Sequence, residues 1–190
     1  MRGGRAVPND PTRPVRILDA ALDVIAEHGL HRASHRRIAE AAGVSPGSLT
    51  YYYSGIDDIY AHAFRRLTEQ MSMKYEESMA QSADPHAAAS AVADLICGGY
   101  GEHRSMVLIF EMYAYANHNE DVAALTADWT VRSRRSLSRH FSSAACRAID
   151  ALVEGWPMHR EFERRELDHG EVTTTIMAIA AAWPRTAGSA

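Results

Sequence analysis

The chain has 190 residues, of which 46% are apolar and 23% charged, with a formal net charge of -4; this is enough to bury a substantial core, and it supplies no global basic field for holding nucleic acid. Two cysteines, Cys97 and Cys146, make neither a disulfide framework nor a four-ligand zinc site. The most apolar run, "MVLIFEMYAYAN" at 106–117, is interrupted by Glu111 and is too short for a membrane span, so the chain reads as cytoplasmic with no membrane partner.

Charge is unevenly spread, because residues 1–55 hold seven arginines against five carboxylates and form a mildly basic front end. Residues 1–12, "MRGGRAVPNDPT", are expected to be a flexible arm, rich in Gly, Pro and Asn and followed by no signal-type hydrophobic region. From Pro14 to His28, Ile17, Ala21, Val24 and Ile25 recur on one face and predict a helix capped by Thr12 or Asn9 and ended by Gly29. "SHRRIAEAAG" predicts a second helix with Ser34 as N-cap, with Ile38, Ala41 and Ala42 inward, and with its stop at Gly43. Ser45 followed by Pro46 starts a third at once. At about seven residues it would not persist alone, so neighbours must hold it.

Asp57 and Asp58 open a fourth helix, expected to run to about Met79 with Ile59, Ala63, Leu67 and Met71 at helical spacing. After the break "QSADPHA", three more are predicted in "PHAAASAVADLIC", in "HRSMVLIFEMYAYAN" and from Asp121 to Phe141. "SAACRAIDALVEGWPMH" predicts an eighth, disturbed at Pro157, and "DHGEVTTTIMAIAAAW" a ninth despite its β-branched run at 172–176. No stretch alternates with period two, and no internal repeat stands out. The expected fold class is all-α with about nine helices: residues 13–56 form one domain, 57–184 a larger helical one, and 185–190 a frayed tail.

Two helices joined at Gly43–Ser45 by a three-residue turn have the geometry of a helix-turn-helix. Ala42 and Gly43 are small where the helices cross, and Val44 and Leu49 give the third helix an apolar side. Its other side then presents Gly47, Ser48, Thr50, Tyr51 and Tyr52, whose hydroxyls and rings can reach phosphates, base edges or thymine methyl groups. That face has no Arg or Lys, so the commonest specific contact, arginine to guanine, is missing. Backbone amides at the Ser45 helix start, with Arg36 or Arg37, would hold phosphates instead. On residue types alone, a DNA-reading element and a helical corner with packed tyrosines fit equally well.

From Ile17 through Phe64, the runs "ILDAAL", "AEHG", "IAEAAGVSPGSLTYYY" and "DDIY" resemble the N-terminal domain of the TetR family of transcriptional regulators, over roughly a quarter of the chain. The resemblance implies a three-helix DNA-binding domain, a fourth connecting helix, and a larger helical domain for ligand binding and dimerisation. It also implies a homodimer, most often a repressor, responding to a small molecule; separately, the residues themselves give no reason to expect enzymatic activity or a cofactor. Carried onto this sequence, the DNA-contacting positions are Ser45, Gly47, Ser48, Thr50, Tyr51 and Tyr52, with Arg36 and Arg37 as phosphate partners. Two departures stand out. Thr50 occupies a position where tyrosine is common, and Ile56 one where a basic residue usually opens the fourth helix. Losing that charge removes one phosphate contact and lowers the salt slope by about one unit. Arg13 and Arg16, or Arg2 and Arg5 of the arm, are candidates to compensate.

So short a recognition helix touches only a few base pairs, and pairing two across a symmetry axis predicts a palindromic double-stranded DNA operator. The predicted interface joins Ala148, Leu152 and Gly155 of one helix to Val172, Ile176, Ile179 and Trp183 of another, as a four-helix bundle between subunits. Packing within one subunit would use the same faces. For sensing a small organic effector, Phe110, Tyr113, Asn117 and Trp129 suggest an aromatic-walled pocket. Glu111, inside the apolar run, either pairs with Arg132, Arg135 or Arg139 or meets the ligand.

Catalytic and metal sites are not expected. His28, His31 and His35 surround Gly29 without a Cys or carboxylate at ligand spacing, and Gly98, Gly99 and Gly101 form a break between helices, not a phosphate loop. The expected function is a homodimeric repressor released from its operator by the effector. The alternative is a helical small-molecule-binding or protein-interaction module that does not bind DNA.

Overall fold

The computed structural model describes residues 10–98 and 102–185. Arg2 and Arg5, residues 1–9 of the expected arm, Gly99, Gly101 and the tail from 186 to 190 lie outside the described residues. Among the described residues there are nine α-helices and one short 3-10 turn, Leu30–Arg32, in agreement with the all-α patterning. The chain divides into two compact units, Met1–Ala63 and Phe64–Ala190.

The first unit contains α1 (Arg13–His28), α2 (His35–Ala41), α3 (Pro46–Tyr52) and the start of α4 (Ile56–Gln81). Thr12 stands at the N-cap of α1, but its side chain caps nothing. Instead the Asp10 carboxylate accepts from the Thr12 backbone N–H at 3.0 Å and from its hydroxyl at 2.7 Å. Gly29, at φ 76, ends the helix in backbone that favours glycine. Ser34 caps α2 as predicted, its hydroxyl accepting from the Arg37 N–H at 3.4 Å. Of the expected inward residues, Ile38 and Ala42 are buried but Ala41 is exposed; Ala39, two residues earlier and nearly opposite it on the helical wheel, is buried instead.

Ser45 is the residue before α3, yet its hydroxyl does not cap the helix and pairs with the Ser48 hydroxyl at 3.1 Å. What holds α3 is burial, because Leu49 sits fully inside with Ile17, Ile25, Ile38 and Ile59. Tyr53, the last of the three tyrosines, is buried as well, and its hydroxyl donates to the Pro14 carbonyl at 3.0 Å. Burial, then the nearby Asp58 and Tyr52, pushes its phenol up to about 12. The Asp58 carboxylate reaches back to accept from the Ser54 N–H at 2.8 Å and its hydroxyl at 3.1 Å, which fixes the start of α4 at Ile56. Ile59, Tyr60 and Ala63 are buried, with the Tyr60 hydroxyl donating to the Ala33 carbonyl. The first compact unit therefore extends two turns into α4 instead of stopping where the helix begins.

The second unit holds the rest of α4, then α5 (Pro85–Cys97), α6 (His103–Ala116), α7 (Glu120–Leu137), α8 (Ser143–Glu163) and α9 (His169–Ala182). Side chains of Asp84, Asn119, Ser142 and Asp168 cap α5, α7, α8 and α9 by accepting from the backbone N–H three residues on. The largest packing surface joins α5 to α9, and both also pack on α8, around Val92, Ile96, Ile149, Val172 and Ile176.

Pro157 does not disturb α8. The helix runs through it to Glu163, where Arg164 turns left-handed at φ 54. Val153 and Pro157 are both buried, so tertiary packing compensates for the helix bond that the proline cannot make. The β-branched run of α9 is likewise held by burial of Val172, Thr173 and Ile176, and the Thr173 hydroxyl donates to the His169 carbonyl at 2.8 Å.

Candidate functional site

In the first unit, α3 turns Leu49 inward and the opposite face outward. Tyr51 is 81% exposed, and its hydroxyl makes no hydrogen bond to any described residue. The Tyr52 ring meets it edge to face at 4.8 Å, which fixes the direction of both. Ser45, Gly47 and Thr50 are exposed and Ser48 is half-exposed. A Cβ at Gly47 would meet nothing within 4 Å, so the backbone there is open to approach. The Thr50 hydroxyl donates to the Gly47 carbonyl at 3.1 Å, leaving its oxygen to accept from outside.

Arg36 and Arg37 stand exposed on α2. The compensating role expected of Arg16 is not free: its Nε donates to the Ala42 carbonyl at 3.1 Å and its Nη1 to Asp10 at 3.1 Å. It braces α1 against the turn after α2. Arg13 lies 4.0 Å from the same Asp10 carboxylate.

In the second unit, α6, α7 and α8 surround a cavity of about 440 Å³, a size suited to a small organic molecule. Phe110, Tyr113 and Trp129 are among the residues that line it. Glu111 and Asn117 do not. Asn117 lies at the C-terminal end of α6, where its amide donates to the Tyr113 carbonyl at 2.9 Å. The ion pair expected for Glu111 is not made with Arg132, because that guanidinium goes to Glu76 at 3.1 Å.

The buried carboxylate of this unit is Asp150, only 3% exposed, which the sequence reading missed. Ser133 donates to its Oδ1 at 2.6 Å and the Nε of Arg134 to its Oδ2 at 2.8 Å. Its position in "AIDALV", in phase with buried Ile149 and Val153, was the available signal. Glu154 also lines the cavity and accepts from the Tyr113 hydroxyl at 2.7 Å.

The predicted dimer face separates into two sets. Val172 and Ile176 are 1% and 0% exposed within this single chain, packed in the core with α5, and so they offer no surface to a partner. The helical period holds, but Val172 and Ile176 point into the subunit. Ala148, Leu152, Gly155 and Ile179 are half-exposed and Trp183 is exposed, which leaves these five as surface. Among the described residues, no three His, Cys, Asp or Glu side chains are grouped to hold a metal ion, and no helix is long and apolar enough to cross a membrane.

Residues 17–63 match the model of the bacterial regulatory proteins of the tetR family. The crystal structure of SCO7518 from Streptomyces coelicolor A3(2) is similar at 39% identity and a TM-score of 0.80, over 90% of this chain and 99% of that one. The structure of the multidrug binding protein EbrR complexed with ethidium matches at 26% identity and a TM-score of 0.75, over 90% of this chain and 99% of its own. In sequence, the HTH-type transcriptional regulator PksA of Bacillus subtilis (strain 168) is 24% identical over 177 residues, 87% of this chain and 86% of that protein.

Proposed function

This chain belongs to the tetR family of bacterial regulatory proteins, and on that premise we propose that it is a homodimeric repressor that reads a palindromic operator and is released by a small organic effector. The observation that carries the reading is the split character of α3, with Leu49 fully buried and Tyr51 81% exposed. A large aromatic left in water next to open backbone and hydroxyls suits a groove. Arg36 and Arg37 add phosphate contacts, and Ser45, Gly47, Ser48, Thr50 and Tyr52 complete the surface.

Two copies are needed for enough base contacts, and the half-exposed Ala148, Leu152 and Gly155 of α8 and Ile179 of α9, with the exposed Trp183 that follows α9, are the proposed contact between them. Sedimentation at micromolar concentration is expected to give a dimer; a persistent monomer would remove the palindrome with it. The effector enters the cavity between α6, α7 and α8 and favours the arrangement with weaker operator affinity. Helix α4 is continuous from the first unit into the second and is the covalent link through which that preference passes.

Selection of genomic fragments by the purified protein at about 0.1 M salt tests this, with Tyr51→Ala run in parallel. The expected outcome is an inverted repeat enriched by the parent, bound about 1–3 kcal/mol more weakly by the variant while its folding stays intact. Equal binding by both proteins would take Tyr51 out of the interface. No enriched sequence would favour the reading without DNA.

A further inference from the structure

We propose that the cavity of the second unit takes a flat aromatic organic cation, with Glu154 as its counter-charge and Tyr113 and Trp129 as the surfaces on which it packs. The biological use of such a ligand, as the effector, rests on the regulatory reading above; its binding does not. None of the described residues lining the cavity is Lys, Arg or His, and its only ionisable carboxylates are Asp150 and Glu154.

These two carboxylates differ in what answers them. Asp150 is buried and has both oxygens engaged, one by the Ser133 hydroxyl and the other by the Arg134 guanidinium, so its charge is balanced inside the protein. Glu154 has a neutral partner, the Tyr113 hydroxyl at 2.7 Å, and no cationic one among the described residues. Tyr113 thus aims the carboxylate without cancelling its charge. The cavity carries one net negative charge beside apolar walls.

The aromatic walls favour the same ligand class. A cation over a tyrosine or tryptophan face is attracted by the ring quadrupole, and a delocalised one loses little hydration on entering an apolar site. Tyr113 and Trp129 have centroids 6.4 Å apart with a 38° tilt. A ring slotted between two others needs about 7 Å, so the ligand lies across this pair. Met106 and Met158, also in the lining, are unbranched and adapt to its outline. An anion would meet Glu154 at close range, and a neutral ring would gain only the apolar contact.

The test uses three probes of nearly one shape, followed by quenching of tryptophan fluorescence in the full-length protein. They are N-methylacridinium, acridine at mildly alkaline pH where it is uncharged, and acridine carboxylate. N-methylacridinium is expected to bind tightest, acridine about tenfold more weakly, and the carboxylate weakest. In Glu154→Gln, whose amide oxygen still accepts from Tyr113, the cation should lose about tenfold while acridine stays unchanged. That pattern is one a purely structural role for Glu154 would not produce. Equal affinities for cation and neutral probe, an unaltered cation affinity in the variant, or no binding of N-methylacridinium would each overturn the proposal. If neutral acridine instead releases an enriched operator, the regulatory reading stands without the cation. Charge-selective binding by a protein that enriches no DNA sequence leaves the cation site standing alone.

Discussion

Shortening Leu49 to alanine is expected to lower the unfolding free energy of the first unit by about 2–5 kcal/mol, the usual range for emptying a buried leucine site, and to remove operator binding with it. The whole stability of a unit this size is about 3–9 kcal/mol, so the loss is a large part of what there is. Helix α3 has only seven residues, and neither Ser45 nor its own length secures it, which leaves Leu49 as its anchor. Thermal melting followed by circular dichroism reads the first effect, and amide exchange of residues 46–52 the second. A variant that melts like the parent would mean that α3 is held by something other than this contact. Tyr51→Ala, by contrast, removes an exposed ring and should move stability by no more than about 0.5 kcal/mol. The two substitutions, two positions apart, separate holding the helix from using it.

What was legible in the sequence followed the range of the interaction. Helix starts and stops depend on neighbours in the chain, and Ser34 and Gly29 behave as their types predict. Ser45 has the right type and position for a cap, but a second hydroxyl three residues on takes its bond. Ala41 and Ala39 are alike in sequence, and only the direction of the neighbouring helices decides which is buried.

Longer-range pairings were the least legible. Arg16 reads as a basic residue near DNA, yet it closes on a carbonyl 26 residues away. Glu111 attracts attention as a charge in an apolar run, but the cavity's charged groups are Asp150 and Glu154. Their partners, Arg134 and Tyr113, come from two other helices. Pro157 shows the same limit from the other side, since burial overrides a strong local preference.

The largest effect in the second unit is expected from Ile176→Ala. Helical spacing gave Ile176 and Val172 an apolar face that could pack either between subunits or within one. The chain buries both completely against α5 and the rest of its own core. Removing the side chain should then cost about 2–5 kcal/mol of folding stability, read as a lower denaturant midpoint with an unchanged slope. The association constant of the folded variant, measured by sedimentation well below its unfolding transition, should stay close to the parent's. A variant that keeps the parent's midpoint but sediments as a monomer would return Ile176 to the interface. The distinction decides where the proposed dimer contact lies. With Val172 and Ile176 inside, the proposed contact keeps only Ile179 of α9 and Trp183 just after it, and α8 supplies Ala148, Leu152 and Gly155. Small residues on α8 permit a close helix approach and Trp183 adds apolar area beside it, so the contact energy is expected to concentrate at that indole.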